Sequence, residues 1–378
     1  MKLLCVVIAF ILAFVIGQII VLRLYLFSFK RRLFDPVDNR KIHAGLIPRL
    51  GGMAFLPTQC SIFLLIVVGL RHLELIQMEY DLLFRFMLLI CGLGLLFVVG
   101  IIDDLMGIGY KWKFAAQVVA ALLLPLSGLW IVHLDGLLGI TVLPDWIGIL
   151  LTVFIVVFIT NAFNLIDGID GLCSGLTILA CTVLGALFFR HESWLPVVFA
   201  FITVGVLAPF FYYNVYGRSR RRRRIFMGDT GSMTLGLTVS FLVISYAVGD
   251  NELPVPGGNL LVAFSVVLVP MLDVIRVILL RLLSRKPLFI ADKNHIHHYF
   301  LDLGFSKRTA LFSILSIALG FIVLNMCIAR FVYNNQTLIL LLDATLWFAG
   351  LWLLGKVRYA RIEKKGQDSN VEKIQDEN

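Results

Sequence analysis

Long apolar stretches, each about the length of a membrane-crossing helix, alternate along this chain with five short polar clusters. About 20 predominantly apolar residues suffice to cross a bilayer as a helix. By that measure eleven stretches qualify, near 4–27, 50–70, 83–102, 114–132, 146–162, 172–190, 195–213, 232–249, 260–282, 309–329 and 337–355. Lipid offers no hydrogen bonds, so each such stretch must satisfy its backbone internally, as a helix does. The pattern predicts an all-α protein, a polytopic membrane bundle of about eleven transmembrane helices. Residues 1–357 read as one multi-pass domain, and 358–378 as a polar, disordered cytoplasmic tail. The first stretch lacks the small-residue cleavage site of a signal peptide and is expected to be a retained span. Pro125, Pro209 and Pro270 fall inside spans and are expected to kink them.

Composition agrees. Hydrophobic residues make up 60% of the chain and its mean hydropathy is +0.93, which excludes an ordinary soluble domain. The net charge of +9 is unevenly placed. Lys30, Arg31, Arg32, Arg40, Lys41, Arg49, Lys111, Lys113, Arg218, the run Arg220–Arg224, Arg285, Lys286, Lys293, Lys307 and Arg308 fall in one set of loops. The other set holds little beyond Lys2, Arg71, Arg190 and Arg330. Positive-inside asymmetry then puts the amino terminus outside and the carboxyl terminus in the cytoplasm. Anionic lipid or an anionic substrate, and not nucleic acid, is the expected partner of that charge. The six cysteines lie in or beside spans without a CxxC pair and read as packing residues.

By this orientation every polar cluster faces the cytoplasm. They are KIHAGLIPRLGG (Lys41–Gly52), DDLMGIGYKWK (Asp103–Lys113), NAFNLIDGIDG (Asn161–Gly171), RRRRIFMGDTGS (Arg221–Ser232) and DKNHIHHYF (Asp292–Phe300). A transporter is expected to gather its ionisable groups near the bilayer midplane instead. Carboxylates at one interface suit chemistry between a cytoplasmic reactant and a lipid-anchored one.

Asp103 and Asp104 are adjacent and point about 100° apart on a helix, so they are not expected to chelate one ion from one face, and a division of labour is the expectation. Carboxylates at a helix carboxyl end also oppose its dipole, which argues for a role. Asn161, Asn164, Asp167 and Asp170 recur at intervals of three, but Gly168 and Gly171 predict that the helix breaks and restarts there. Their oxygens suit a hard cation or a phosphate. In FMGDTGS, Asp229 and Ser232 are candidates either to bind Mg²⁺ or to cap the next helix. His295, His297 and His298 are better matched to phosphate or substrate contact than to zinc, because no Cys or Glu lies close by in sequence. Lys41 and His43 are weaker members of the same kind. Asp273 and Arg276 read as a structural ion pair, and Asp343 has no evident partner. Carboxylates, glycine turns, cations and histidines together are the equipment of Mg²⁺-assisted phosphoryl transfer.

In this order the five clusters resemble those of the polyprenyl-phosphate N-acetylhexosamine-1-phosphate transferases (glycosyltransferase family 4), over about Lys41 to Phe305. HIHH preceded by Asp292, with GFS at Gly304–Ser306, is similar to the WecA/TagO branch more than to the phospho-MurNAc-pentapeptide translocase (MraY) branch. The resemblance implies a bacterial inner-membrane enzyme that joins a UDP-amino sugar to a polyprenyl phosphate. UDP-GlcNAc and undecaprenyl phosphate are the expected pair, giving undecaprenyl-diphosphate-GlcNAc and UMP, with a UDP-linked deoxy amino sugar or MurNAc-pentapeptide as the alternative donor. It further implies Mg²⁺, with Mn²⁺ as the alternative ion, held by Asp229 and Asp104. Asp103 would deprotonate the lipid phosphate, and Lys113 would serve that phosphate. Asn161, Asn164, Asp167 and Asp170 would line the nucleotide and metal site, Phe226 would stack on uracil, and Lys41, His43, His295, His297 and His298 would meet the substrate. A homodimer is compatible with the resemblance. Single and double displacement both remain open, the single step being the simpler. A CDP-alcohol phosphotransferase is excluded by motif, since Asp170 is followed by Gly171-Leu172-Cys173-Ser174 and not by the DGxxAR continuation.

Overall fold

The computed structural model describes residues 1–31, 48–75, 80–217, 224–249, 259–285, 295–329, 331 and 336–376, with only the backbone described at 259 and 360–376. Thirteen α-helices run in order along them: α1 (Lys2–Arg31), α2 (Phe55–His72), α3 (Tyr80–Met106), α4 (Tyr110–Leu126), α5 (Asp145–Ile166), α6 (Leu172–Arg190) and α7 (Trp194–Tyr216). The remaining six are α8 (Gly228–Val248), α9 (Asn259–Ser265), α10 (Leu268–Leu283), α11 (Ile296–Asp302), α12 (Lys307–Ile328) and α13 (Gln336–Asp376). A short 3₁₀ turn, Leu50–Ala54, leads into α2.

Nine of these helices are long and apolar enough to cross a membrane among the described residues. The other two expected spans take different forms. α4 is a 17-residue helix. The run 260–282 is divided between α9 and α10, with the break at Val266–Val267. Pro270 therefore lies in the first turn of α10, where its missing N–H costs nothing, and does not kink a continuous span. Pro125 and Pro209 do lie inside helices. A two-stranded antiparallel hairpin, β1 (His133–Leu137) and β2 (Ile140–Val142), precedes α5, which the all-α expectation did not foresee. At its tip Gln336 Nε2 donates to Asp135 Oδ2 at 3.1 Å, tying the start of α13 down. α13 itself continues to Asp376, so the backbone of the expected disordered tail is helical. Glu, Lys and Gln are good helix formers, and a solvated tail of them extends the preceding helix without needing a core.

α8 is the axis of the bundle. It is apolar and buried nearly all round, as a helix without a solvent or lipid face should be. α3, α5 and α6 pack around it. Small residues let them come close, as van der Waals packing in lipid requires. A Cβ on Gly236 of α8 would lie 2.7 Å from Thr160 Cα on α5. One on Gly100 of α3 would lie 2.8 Å from the backbone nitrogen of Thr230. An aromatic knot then locks α2, α3, α7 and α8: Phe86 stands 4.7 Å from Phe63, 5.5 Å from Phe199 and 5.0 Å from Phe241, centroid to centroid. The antiparallel pairing of α3 with α8 matters most for the site, because it places the last turn of one beside the first turn of the other.

Candidate active site

Asp103 and Asp104 end α3, and Asp229 begins α8. The close approach of Gly100 to Thr230, one turn earlier on α3, brings these ends together. Asp104 accepts three hydrogen bonds from α8, from Asp229 N–H at 2.8 Å, Thr230 N–H at 3.0 Å and Thr230 Oγ1 at 2.6 Å. It thus caps α8 from another helix, satisfying amides that have no intrahelical partner and placing negative charge at the dipole's positive end. Gly228 makes room for it: φ is +73°, and a Cβ there would also meet Arg49 O at 2.6 Å.

Asp103 turns the other way. Its Oδ1 accepts the Ile108 N–H at 2.9 Å, and its Oδ2 pairs with Lys113 Nζ at 2.6 Å. Lys113, on the first turn of α4, also pairs with Asp229 Oδ2. The adjacent aspartates thus have different partners. Asp103, Asp104 and Asp229 each offer an oxygen within 4.8 Å of the others, the third from α8, so the group does not lie on one helix face.

The loop NAFNLIDGIDG closes a second side. α5 ends at Ile166 and α6 begins at Leu172, so the helix breaks and restarts as the glycines predicted. Asn164 Nδ2 donates to Ser232 Oγ at 2.9 Å, tying α5 to α8. Ser232 neither caps α8 nor ends it: its hydroxyl lies 3.3 Å from Gly228 O, within α8's first turn. Asn161, three residues before Asn164, makes no side-chain hydrogen bond to the cluster among the described residues. The Asp167 carboxyl, desolvated by the surrounding protein and facing Asp229, Asp170 and Asp104, is held well above the usual carboxylate range. Asp170 pairs with Arg224, whose guanidinium also lies 5.4 Å from the centroid of the Phe226 ring.

Backbone pairing stitches the first and fourth motifs together. Phe226 N–H donates to Pro48 O at 2.8 Å, Gly51 N–H to Phe226 O at 2.9 Å, and Gly52 N–H to Met227 O at 2.8 Å. Asn214, which lies in none of the five motifs, joins the third motif to the fourth. It accepts from Gly171 N–H at 2.6 Å and donates to Ile225 O at 2.8 Å. A buried Asn near the end of an apolar helix was the available signal.

The histidines arrive on α11. The His297 ring lies against Gly168, whose absent Cβ is the space it fills. Burial pushes the His297 imidazole down to about 3, with His298 and His295 adding to the effect, so this ring is neutral at cellular pH. His295 and His297 stack in parallel at 5.9 Å, and His298 is 4.2 Å from His297. Lys41, His43, Asp292 and the arginines before Arg224 lie outside the described residues.

Five motifs separated by up to 250 residues thus supply one polar basin at one end of the bundle. Asp103, Asp104 and Asp229 each offer an oxygen within 4.8 Å of the others, an all-oxygen donor set that could hold a hard cation such as Mg²⁺, and Lys113 pairs with Asp103 and Asp229.

The chain is similar in sequence to known proteins. The sequence pattern of glycosyl transferase family 4 matches residues 86–247. The chain is 30% identical over 290 residues to the undecaprenyl-phosphate alpha-N-acetylglucosaminyl 1-phosphate transferase of Yersinia pestis, covering 75% of this chain and 73% of that one. It is 28% identical over 349 residues to the probable undecaprenyl-phosphate N-acetylglucosaminyl 1-phosphate transferase of Bacillus subtilis (strain 168), covering 91% and 87%. Against the Escherichia coli (strain K12) undecaprenyl-phosphate alpha-N-acetylglucosaminyl 1-phosphate transferase it is 28% identical over 285 residues, covering 74% and 71%.

Proposed function

Because the chain belongs to glycosyl transferase family 4, we propose that it transfers GlcNAc-1-phosphate from UDP-GlcNAc to undecaprenyl phosphate, giving undecaprenyl-diphosphate-GlcNAc and UMP. The observation that carries this is the convergence of Asp103, Asp104, Asp229 and Lys113 at one end of a membrane bundle. A water-soluble diphosphate and a lipid phosphate can meet there without either crossing the bilayer.

Asp229 and Asp104 would hold Mg²⁺, which would neutralise charge on the diphosphate. Asp104 keeps α8 in register through its three hydrogen bonds, so that Asp229 is presented at a fixed depth. Asp103 would take the proton of the lipid phosphate, with Lys113 beside it to receive the phosphate's charge. Phe226 would stack on the nucleobase, and Asp170, paired with Arg224 beside that ring, would line the nucleotide site. Direct attack of the lipid phosphate oxygen on the sugar-bearing phosphorus needs only in-line placement, and no covalent enzyme intermediate.

The excess of Lys and Arg in one set of loops supports a site that faces the cytoplasm, with the amino terminus outside.

The test is UMP release by the purified protein with UDP-GlcNAc, undecaprenyl phosphate and Mg²⁺. Turnover abolished by EDTA and lost on the order of a hundredfold or more in Asp229→Asn supports the assignment. Turnover only with another UDP-amino sugar keeps the reaction and changes the donor. No UMP from any UDP-sugar, in folded protein, refutes it.

A further inference from the structure

Asp273 is buried in α10, in the second half of the divided span, and its carboxylate gathers three donors. Oδ1 accepts from the Arg276 guanidinium at 2.9 Å and from the Ile296 N–H at 3.0 Å, while Oδ2 meets His295 Nδ1 at 2.8 Å. An Asp–Arg pair that served packing alone would need only one of these oxygens. The second is committed to a histidine of the motif that faces the basin. With Arg276 and a backbone amide already donating to it, the carboxylate is an acceptor on both sides, so the proton of the third bond belongs to Nδ1. Nε2 is then the one ring nitrogen of His295 left for a ligand.

We propose that Asp273 is a positioning residue for the phosphosugar transfer: it holds His295 with Nδ1 protonated and presents Nε2 to the diphosphate of the sugar nucleotide. This rests on the transferase function proposed above. The same carboxylate fixes where α11 begins, through the Ile296 N–H, and so sets the height of all three histidines. Its other flank is braced. Arg276 lies 4.8 Å from the Tyr299 ring centroid and Arg358 4.6 Å from it, and Arg358 is paired with Asp302 at 2.5 Å. α10 and α13 thereby clamp α11. Among the described residues, the charged and titratable groups beside His295 are Asp273, itself paired with Arg276 on α10, and His297 on α11. Through the parallel stack, the orientation of His295 passes to His297 and on to the loop at Gly168.

Asp273→Asn separates orientation from packing. The Asn oxygen keeps the two donors that Oδ1 already serves, so its NH₂ turns toward His295 Nδ1. That nitrogen must then accept, and the proton moves to Nε2. The opposite tautomer is imposed without loss of volume. We expect kcat to fall on the order of a hundredfold while KM for UDP-GlcNAc changes less than about threefold. In a His295→Ala background the same substitution should cost less than about threefold, since the two act as a unit. Independently of turnover, ¹⁵N shifts of the labelled histidines should show one ring changing from Nδ1–H to Nε2–H in the variant.

An additive loss in the double variant, or an unchanged tautomer, overturns the proposal. So does failure of Asp273→Asn to fold while His295→Ala folds, because the carboxylate would then be serving Arg276 and α11 alone. A wild-type protein without UMP release but with the tautomer change intact would overturn the transferase function and leave the positioning role standing.

Discussion

Gly100→Ala adds one methyl group at the point where α3 crosses α8, and the structure says where it goes. The new Cβ would sit 2.8 Å from Thr230 N and 3.1 Å from Thr230 Oγ1, with the Thr230 Cα closer still. Ordinary contact for such atoms is about 3.5–4.0 Å, so the two helices must part by roughly 1 Å. Backbone cannot rotate away as a side chain does, and overpacking of this kind costs about 1–3 kcal/mol. The geometric consequence is larger than the energetic one. Thr230 and Asp229 are the groups that Asp104 holds, and Asp103 follows Gly100 by three residues. A displacement of about 1 Å between reacting groups can cost on the order of a hundredfold in rate. Gly94→Ala on the same helix is the control, because its Cβ would meet nothing within 4 Å. It should be neutral or raise Tm slightly, alanine being the better helix former. UMP release and thermal melting of both variants in detergent decide the matter. Activity of Gly100→Ala within about threefold of wild type, with Tm also unchanged, would show that α3 and α8 do not set the spacing of the carboxylates.

Asp104→Asn should lower Tm by more than Asp103→Asn, because an amide cannot accept from both Asp229 N–H and the Thr230 pair, and the unmet donors cost about 1–3 kcal/mol; equal melting points would refute the capping role. Lys113→Met should tighten apparent Mg²⁺ affinity in a binding titration, since the ammonium competes for Asp103 and Asp229, while still lowering turnover; weaker Mg²⁺ binding would contradict this. Folded His297 takes up its proton near 3, against 6.5 for the free side chain, so the unfolded chain binds more protons between those values. Stability should therefore rise with pH from about 3 to about 6.5 and level off above, and His297→Asn should flatten that slope in melting curves taken across pH 4–8. Asn214→Ala should cost about 1–3 kcal/mol and reduce activity, because it frees both Gly171 N–H and Ile225 O in a buried place.

Much of the site was legible because hydrocarbon is an unforgiving solvent. Each polar cluster stood out against apolar spans, and the break between α5 and α6 followed from Gly168 and Gly171 alone. What could not be read was pairing. Nothing local says that Pro48–Gly52 runs beside Phe226–Met227, since those bonds are between backbone groups. The division of the span 260–282 was hidden for a related reason. Its apolar run is continuous, and Pro270 is equally at home as a kink or in a first turn, where it is found. The hairpin before α5 is three to five residues a strand, too short to show a period of two against its surroundings.

Asp273 illustrates the limit most clearly. The i,i+3 spacing to Arg276 offers a sufficient explanation of a buried carboxylate, and the ion pair is indeed there at 2.9 Å. Yet a carboxylate has two oxygens, and the second partner lies 22 residues away across the α10–α11 connection. The same holds at Asp104, whose adjacent position to Asp103 hides three bonds to a helix 125 residues on. In both cases a local rule gives a true contact but leaves acceptor capacity unused. Desolvated acceptors are costly when idle, so a buried aspartate with one visible partner in a span is a sign of a second, distant one. Asp343 departs from this logic: its Oδ2 accepts from Asn325 Nδ2 at 3.0 Å, bridging α12 and α13, while its Oδ1 is buried without a partner among the described residues.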